Sequence, residues 1–128
     1  MAIIYTDGSC RYNPGPGAFA WARIEEGDIT AHNSGPCYGK VTNNRAEMIA
    51  VIEALKSNDD LWLTIISDSQ VVVKGATGQW KRKKNLDLWK QIDELINARS
   101  IKWEWVKGHS SNQWNNYVDN LAQKACPN

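Results

Sequence analysis

The chain has 128 residues, 42% of them hydrophobic and seven of them Trp, enough for one compact domain with a real core and too few for two of ordinary size. Its 15 Lys plus Arg nearly balance 14 Asp plus Glu, so bulk charge does not announce a nucleic-acid partner, and any such partner must be met by local patches. No apolar run approaches the roughly 20 residues that span a bilayer, and Met1 to Asp7 lacks the basic start and length of a signal peptide, so a cytoplasmic protein is expected.

Ile3-Ile4-Tyr5-Thr6 is an apolar, β-favouring run without alternation, which predicts a central strand covered on both faces. It ends in Asp7-Gly8-Ser9, where Gly8 is expected to turn the chain sharply and leave Asp7 at the sheet edge facing solvent. Asn13-Pro14-Gly15-Pro16-Gly17 reads as a turn, and Ala18 to Ile24 as a second strand. After a turn at Glu25 to Asp28, Ile29 to Gly35 completes an antiparallel meander whose outer member is an edge. Cys10, Cys37 and Cys126 are odd in number and far apart, which suits reduced thiols rather than a disulfide framework or a zinc site.

Thr42-Asn43-Asn44 precedes a helix in which Met48, Ile49, Ile52 and Leu55 recur at spacings of three and four, with Glu47 in its first turns. Leu61 to Ile66 is a second continuous apolar run ending in a carboxylate, Asp68. Gln70 to Lys74 reads as a short helix that Gly75 and Gly78 interrupt. The only strong basic run, Lys81-Arg82-Lys83-Lys84, leads into a helix striped by Trp89, Ile92, Leu95 and Ile96. Ile101 to Trp105 alternates as a half-buried strand does. Lys107 to Asn112 is a polar loop, and Trp114, Val118, Leu121, Ala122 and Ala125 mark a last amphipathic helix bearing Asp119. The order of elements is that of an α/β domain without internal repeats.

Taken singly, the acids have ordinary structural readings: Asp7 as a turn residue, Asp68 as a cap, Glu47 as a favourable charge near a helix start, Asp119 as a solvated position. Together they read differently. If the two strands that end in Asp7 and Asp68 are parallel neighbours, both carboxylates share the sheet edge where α/β folds place ligands. Clustered acids repel, so they need cations to remain ionised together.

Five stretches in order, Asp7-Gly8-Ser9-Cys10 with Asn13 to Gly17, Thr42 to Glu47, Ser67-Asp68-Ser69-Gln70, Trp105 to Ser110, and Asn115 to Asp119, resemble the successive motifs of type 1 ribonuclease H. The resemblance covers nearly the whole chain. It implies a single ribonuclease H catalytic domain over residues 1–128, with a five-stranded mixed sheet of order 3-2-1-4-5 flanked by helices. It implies an endonuclease that cuts the RNA strand of RNA–DNA hybrids, leaving 5′-phosphate and 3′-hydroxyl ends; a monomer with no obligate protein partner and no membrane attachment is expected. Carried over residue by residue, Asp7, Glu47, Asp68 and Asp119 hold two Mg²⁺ ions, with Mn²⁺ as the alternative. Two metals about 4 Å apart would serve an in-line displacement, Asp7 bridging them.

His109, in a Gly-Ser loop, is implied to assist proton transfer or product departure. Cys10, Asn13, Asn43, Asn44 and Gln70 are implied to line the minor groove and Thr42 to meet a DNA phosphate, as short polar groups that sense sugars without reading sequence. The same Asn and Thr residues also suit caps and turns. The chain departs from many bacterial members in one respect: only Val71 to Lys84 fills the place of an additional basic helix and loop. Lys81 to Lys84 either replaces part of that charge or is a solvated surface, and Trp80 is either a DNA-sugar contact or a packing residue.

Overall fold

In the computed structural model, which describes residues 2–127, five strands form one mixed sheet in the order expected: β3 (Asp28–Val41), β2 (Gly15–Glu25), β1 (Ile3–Cys10), β4 (Trp62–Ser67) and β5 (Ser100–Trp105). The first three make the antiparallel meander, and β1, β4 and β5 run parallel. Four helices complete the chain: α1 (Asn43–Ser57), α2 (Gln70–Ala76), α3 (Leu86–Ile96) and α4 (Gln113–Ala125).

The continuous apolar runs of β1 and β4 are explained by cover on both faces. Ile4, Leu63 and Ile65 pack with Met48, Val51, Leu55, Val72, Trp89 and Ile92 from the first three helices. Tyr5 and Ile66 point the other way, against Val118 and Ala122 of α4. Each large aliphatic buried in this way contributes about 1.5–3 kcal/mol, so the two strands that lead to Asp7 and Asp68 are among the most firmly fixed segments. Leu61 and Trp62 are exposed, and burial in that run starts at Leu63. The three cysteines are free thiols, and burial pushes the Cys37 thiol up to about 11. No helix among the described residues is long and apolar enough to cross a membrane.

Several boundaries differ from the sequence reading. β3 does not stop at Gly35 but continues to Val41, and β2 starts at Gly15 rather than Ala18, because the two keep pairing past an irregularity between Pro16 and Ala18. Pro36 is tolerated there because β3 is the sheet edge, where a missing amide N–H breaks no ladder. Gly75 does not interrupt α2. It is there for closeness: a Cβ at Gly75 would lie 2.3 Å from Cζ2 of Trp89. Gly78, at φ +79°, follows the helix end instead, where a left-handed residue is favoured.

Candidate active site

Ile3–Thr6 of β1 pairs in register with Thr64–Ser67 of β4. The residues that follow, Asp7 and Asp68, therefore emerge level with one another on adjacent strands, which lie about 4.8 Å apart in a sheet. The expected turn at Gly8 is absent. β1 runs on to Cys10, and Asp7 is only 3% exposed, so it is buried at the sheet end rather than facing solvent. Gly8 instead lets α1 approach: a Cβ there would lie 2.3 Å from the backbone carbonyl carbon of Ala46. The Glu47 carboxylate accepts a hydrogen bond from the Gly8 amide at 2.5 Å. Asp7, Glu47 and Asp68 thus each present an oxygen within 4.8 Å of the others.

Asp68 is held from several sides. The Ser67 hydroxyl accepts from the Ser69 amide at 3.0 Å, and Ser69 caps α2 by accepting from Val72 at 3.2 Å. The Trp105 indole donates to the Asp68 carbonyl at 3.0 Å, and the Asn115 amide to its Oδ2 at 3.5 Å. Gly108 lies against the same carboxylate. Asn115 is 1% exposed, and its Oδ1 has no hydrogen-bond partner among the described residues. It sits one turn before Asp119 on α4, whose start is fixed by Asn112 accepting from the amides of Trp114 and Asn115. The sequence reading did not single out Asn115 as a site residue; its four-residue spacing from Asp119, which puts both on one helix face, was the available signal.

Asp119 stands outside the three-carboxylate cluster. The Gln123 side chain donates to both of its oxygens at 3.2 Å. Its charge nevertheless acts on Asp7, whose carboxyl is pushed up to about 8, chiefly by burial; the bond with Glu47 opposes the rise, and the charges of Asp68 and Asp119 add to it. Glu47 is likewise driven well above the ordinary carboxylate range by burial and by Asp7. None of the ion pairs among the described residues involves these four acids. A partly buried set of hard oxygen donors, with no countercharge among the described residues, fits a small divalent cation such as Mg²⁺ or Mn²⁺.

The six polar residues assigned to substrate surround this end of the sheet. Asn13 accepts from the Asn43 amide at 3.0 Å, tying the β1–β2 connection to the start of α1. Thr42 caps that helix by accepting from the Arg45 amide at 3.2 Å, and the Cys10 thiol donates to the Val41 carbonyl at 3.0 Å. Asn43, Asn44 and Gln70 are exposed. His109 is also exposed, at φ +53° in the loop before α4, and makes no hydrogen bond to the acids among the described residues. Trp80 is 45% exposed, so it is not a core residue; Lys74 lies over its ring at 4.8 Å.

The family model for RNase H matches residues 1–127. The chain is 40% identical to a ribonuclease H of Enterobacter sp. (strain 638), covering 98% of this chain and 88% of that protein. It is also 40% identical to one of Jannaschia sp. (strain CCS1), covering 94% and 88%. The Enterobacter alignment spans 139 positions, more than the 128 residues of this chain, so that relative carries residues absent here. Among solved structures, the N-terminal RNase H domain of Rv2228c from Mycobacterium tuberculosis, studied as a maltose-binding-protein fusion, superposes with a TM-score of 0.85 at 30% identity over 98% of both chains. LC11-RNase H1 in complex with an RNA/DNA hybrid gives 0.85 at 26% identity, covering 98% of this chain and 96% of that one. With the family model matched over residues 1–127 and relatives at 40% identity over most of both chains, the chain belongs to the ribonuclease H family of enzymes.

Proposed function

We propose that this protein is a metal-dependent endonuclease that hydrolyses the RNA strand of RNA–DNA hybrids, acting as one catalytic domain and as a monomer. The observation that carries the reading is the meeting of Asp7, Glu47 and Asp68 oxygens within 4.8 Å, with no cation paired to them among the described residues, beside an edge of short polar side chains. A similar protein of the same fold, LC11-RNase H1, has been solved with a hybrid bound, which supports the choice of substrate.

Asp7, Glu47 and Asp68 would hold the metal, with Asp119 approaching from α4. Two divalent ions, Mg²⁺ or Mn²⁺, when bound there supply Lewis acidity for an in-line displacement at phosphorus that leaves 5′-phosphate and 3′-hydroxyl ends. The chain's own groups do the positioning. The Gly8 amide fixes Glu47, Asn115 and Trp105 fix Asp68, and Gln123 fixes Asp119. Cys10, Asn13, Thr42, Asn43, Asn44 and Gln70 would seat the duplex through 2′-hydroxyl, base-edge and phosphate contacts. His109, exposed on its loop, is available to carry a proton as product leaves.

Incubating end-labelled hybrid, duplex RNA and duplex DNA with protein in Mg²⁺, Mn²⁺ or EDTA tests the reading. Cleavage confined to the RNA strand of the hybrid, and lost in EDTA, is expected. Hybrid binding without cleavage in either metal would make the domain a binding module, and cleavage of duplex DNA would make it a different nuclease on this fold.

A further inference from the structure

The connection from α2 to α3 is short, and within it the four basic residues are not equivalent. Lys81, Lys83 and Lys84 are exposed, whereas Arg82 turns inward. The Arg82 Nε donates to the Gly75 carbonyl at 3.0 Å, Nη1 donates to Asp93 at 2.7 Å, and the guanidinium lies 4.2 Å from the centre of the Trp89 ring. Trp89 is itself buried against the bare Cα of Gly75. One side chain therefore joins the end of α2, a core residue of α3 and a surface acid of α3. Across the same connection, Arg45 of α1 holds Asp87 with two hydrogen bonds of 2.8 and 2.9 Å and Asn85 at 3.1 Å. The three lysines line a groove of about 210 Å³ that Trp80, Asn44 and Arg82 itself also border, and none of the lysines has an ion-pair partner among the described residues.

We propose that Arg82 is a positioning residue: its ties to Gly75, Trp89 and Asp93 hold Lys81, Lys83 and Lys84 as a fixed pad for the phosphodiester backbone of the nucleic-acid duplex. The proposal rests on the functional reading above. Of the two readings of the basic run it takes the one in which the run replaces part of the charge of the absent basic helix and loop, and it gives that role to the three lysines, because the guanidinium of Arg82 is engaged by Gly75, Trp89 and Asp93. Without the anchor the connection has little regular hydrogen bonding of its own, so the lysines would have to be ordered anew on binding, at an entropic cost in affinity.

Asp93 makes the test sharp, because charge and positioning predict opposite signs. Asp93→Asn removes a negative charge, and by charge alone binding to a polyanion is unchanged or tighter. If Asp93 fixes Arg82, binding instead weakens, on the order of threefold to tenfold, the scale of one contact in a coupled network. Affinity for labelled hybrid is measured in EDTA across a salt series, at a temperature where circular dichroism shows every variant folded. Weaker binding is expected for Asp93→Asn, Arg82→Gln and Arg82→Lys, with no further loss in the Arg82→Gln/Asp93→Asn double variant. Each single variant should raise KM while kcat stays near wild type. Lys81, Lys83 and Lys84 replaced together by Ser should weaken binding and lower the slope of log K against log salt by up to about 0.9 per contact on B-form DNA. Unchanged or tighter binding by Asp93→Asn overturns the proposal. So does full rescue by Arg82→Lys, which would make position 82 a phosphate contact. Wild-type protein that neither binds nor cleaves hybrid overturns the functional reading and this proposal with it, an outcome distinct from the failure of the variants alone.

Discussion

Asp7→Asn is expected to abolish cleavage and, in metal-free protein, to increase stability at neutral and alkaline pH. Burial first, and then the charges of Asp68 and Asp119, push the Asp7 carboxyl from an ordinary 3.8 to about 8 in the folded protein. Below the lower value both states carry the proton and the group does not oppose folding. Between the two values the unfolded chain has released a proton that the folded protein keeps, so stability falls as pH rises, by about 1.4 kcal/mol per pH unit for one such group. Across the window the loss has an upper limit of about 6 kcal/mol, reduced in practice by water entry and side-chain movement around a buried charge. Even half of that is a large share of the roughly 5–15 kcal/mol that holds a domain folded. Asn at position 7 does not titrate. Urea unfolding in EDTA at pH 5, 6.5 and 8 should therefore show the wild-type midpoint falling with pH, and the advantage of Asp7→Asn growing. Glu47, also raised, leaves the variant some residual slope. Added Mg²⁺ should stabilise wild type by binding only the folded state, and the variant much less. A difference between the two proteins that is flat from pH 5 to 8 would refute the electrostatic account. Near-normal cleavage by Asp7→Asn would refute the assignment of the site.

Asp68→Asn should also abolish cleavage, with an unchanged far-ultraviolet spectrum; retained metal-dependent turnover would remove Asp68 from the site. His109→Ala should slow turnover by about 10- to 100-fold without abolishing it, at or below the low end of general acid–base effects. Single-turnover rates as low as those of Asp68→Asn would show that His109 has more than an auxiliary role. Gly8→Ala should destabilise the protein by about 1–3 kcal/mol, as overpacking does, and impair cleavage, because its new Cβ meets the backbone of Ala46 and Glu47. Thermal unfolding and hybrid cleavage indistinguishable from wild type would mean that α1 yields easily there.

Much of the architecture could be read from periodicity, because β1 and β4 are buried on both faces and helices α3 and α4 each present one apolar stripe. Most of the misread boundaries fell on glycine or proline whose role is tertiary. Gly35-Pro36 reads as a breaker, yet an edge strand accepts it. Gly75 reads as a helix stop, but it is a socket for Trp89. Gly8 reads as a turn, but it is the floor on which α1 rests. Local sequence reports the conformational freedom of glycine and not the neighbour that requires its missing side chain. The site divides in the same way. In the candidate site, Asp7 and Asp68 are suggested by the apolar strands they end, and Glu47 and Asp119 only by motif resemblance; the structure brings Asp7, Glu47 and Asp68 together. The supports were legible in neither way: Asn115 and Gln123 look like any polar helix residues until α4 is laid against β1, and Arg82 in a basic run looks the same as the lysines around it.

The use of the arginines explains why the acids lack a countercharge. Arg23 binds Asp60 through both terminal nitrogens and reaches Asn58 and Glu25 as well. Arg45 takes Asp87 and Asn85, Arg82 takes Gly75 and Asp93, Arg99 donates to the carbonyls of Asn58 and Asp60, and Arg11 to that of Pro127. Each ties two segments distant in sequence or closes a helix end, so the guanidiniums act as cross-links and stay away from Asp7, Glu47 and Asp68. A buried acid cluster placed by ion pairing would bring its own cation, and a divalent ion would then have to displace it. This cluster is placed instead by strand register, by the close approach of α1 at Gly8, and by neutral donors: the Gly8 amide, Asn115 and Gln123. Neutral donors orient carboxylates without neutralising them, so burial first, with the repulsion among the acids added to it, raises Asp7 and Glu47 and destabilises the metal-free protein at neutral and alkaline pH. A divalent cation would relieve that penalty, taking the place of the protons the metal-free cluster keeps.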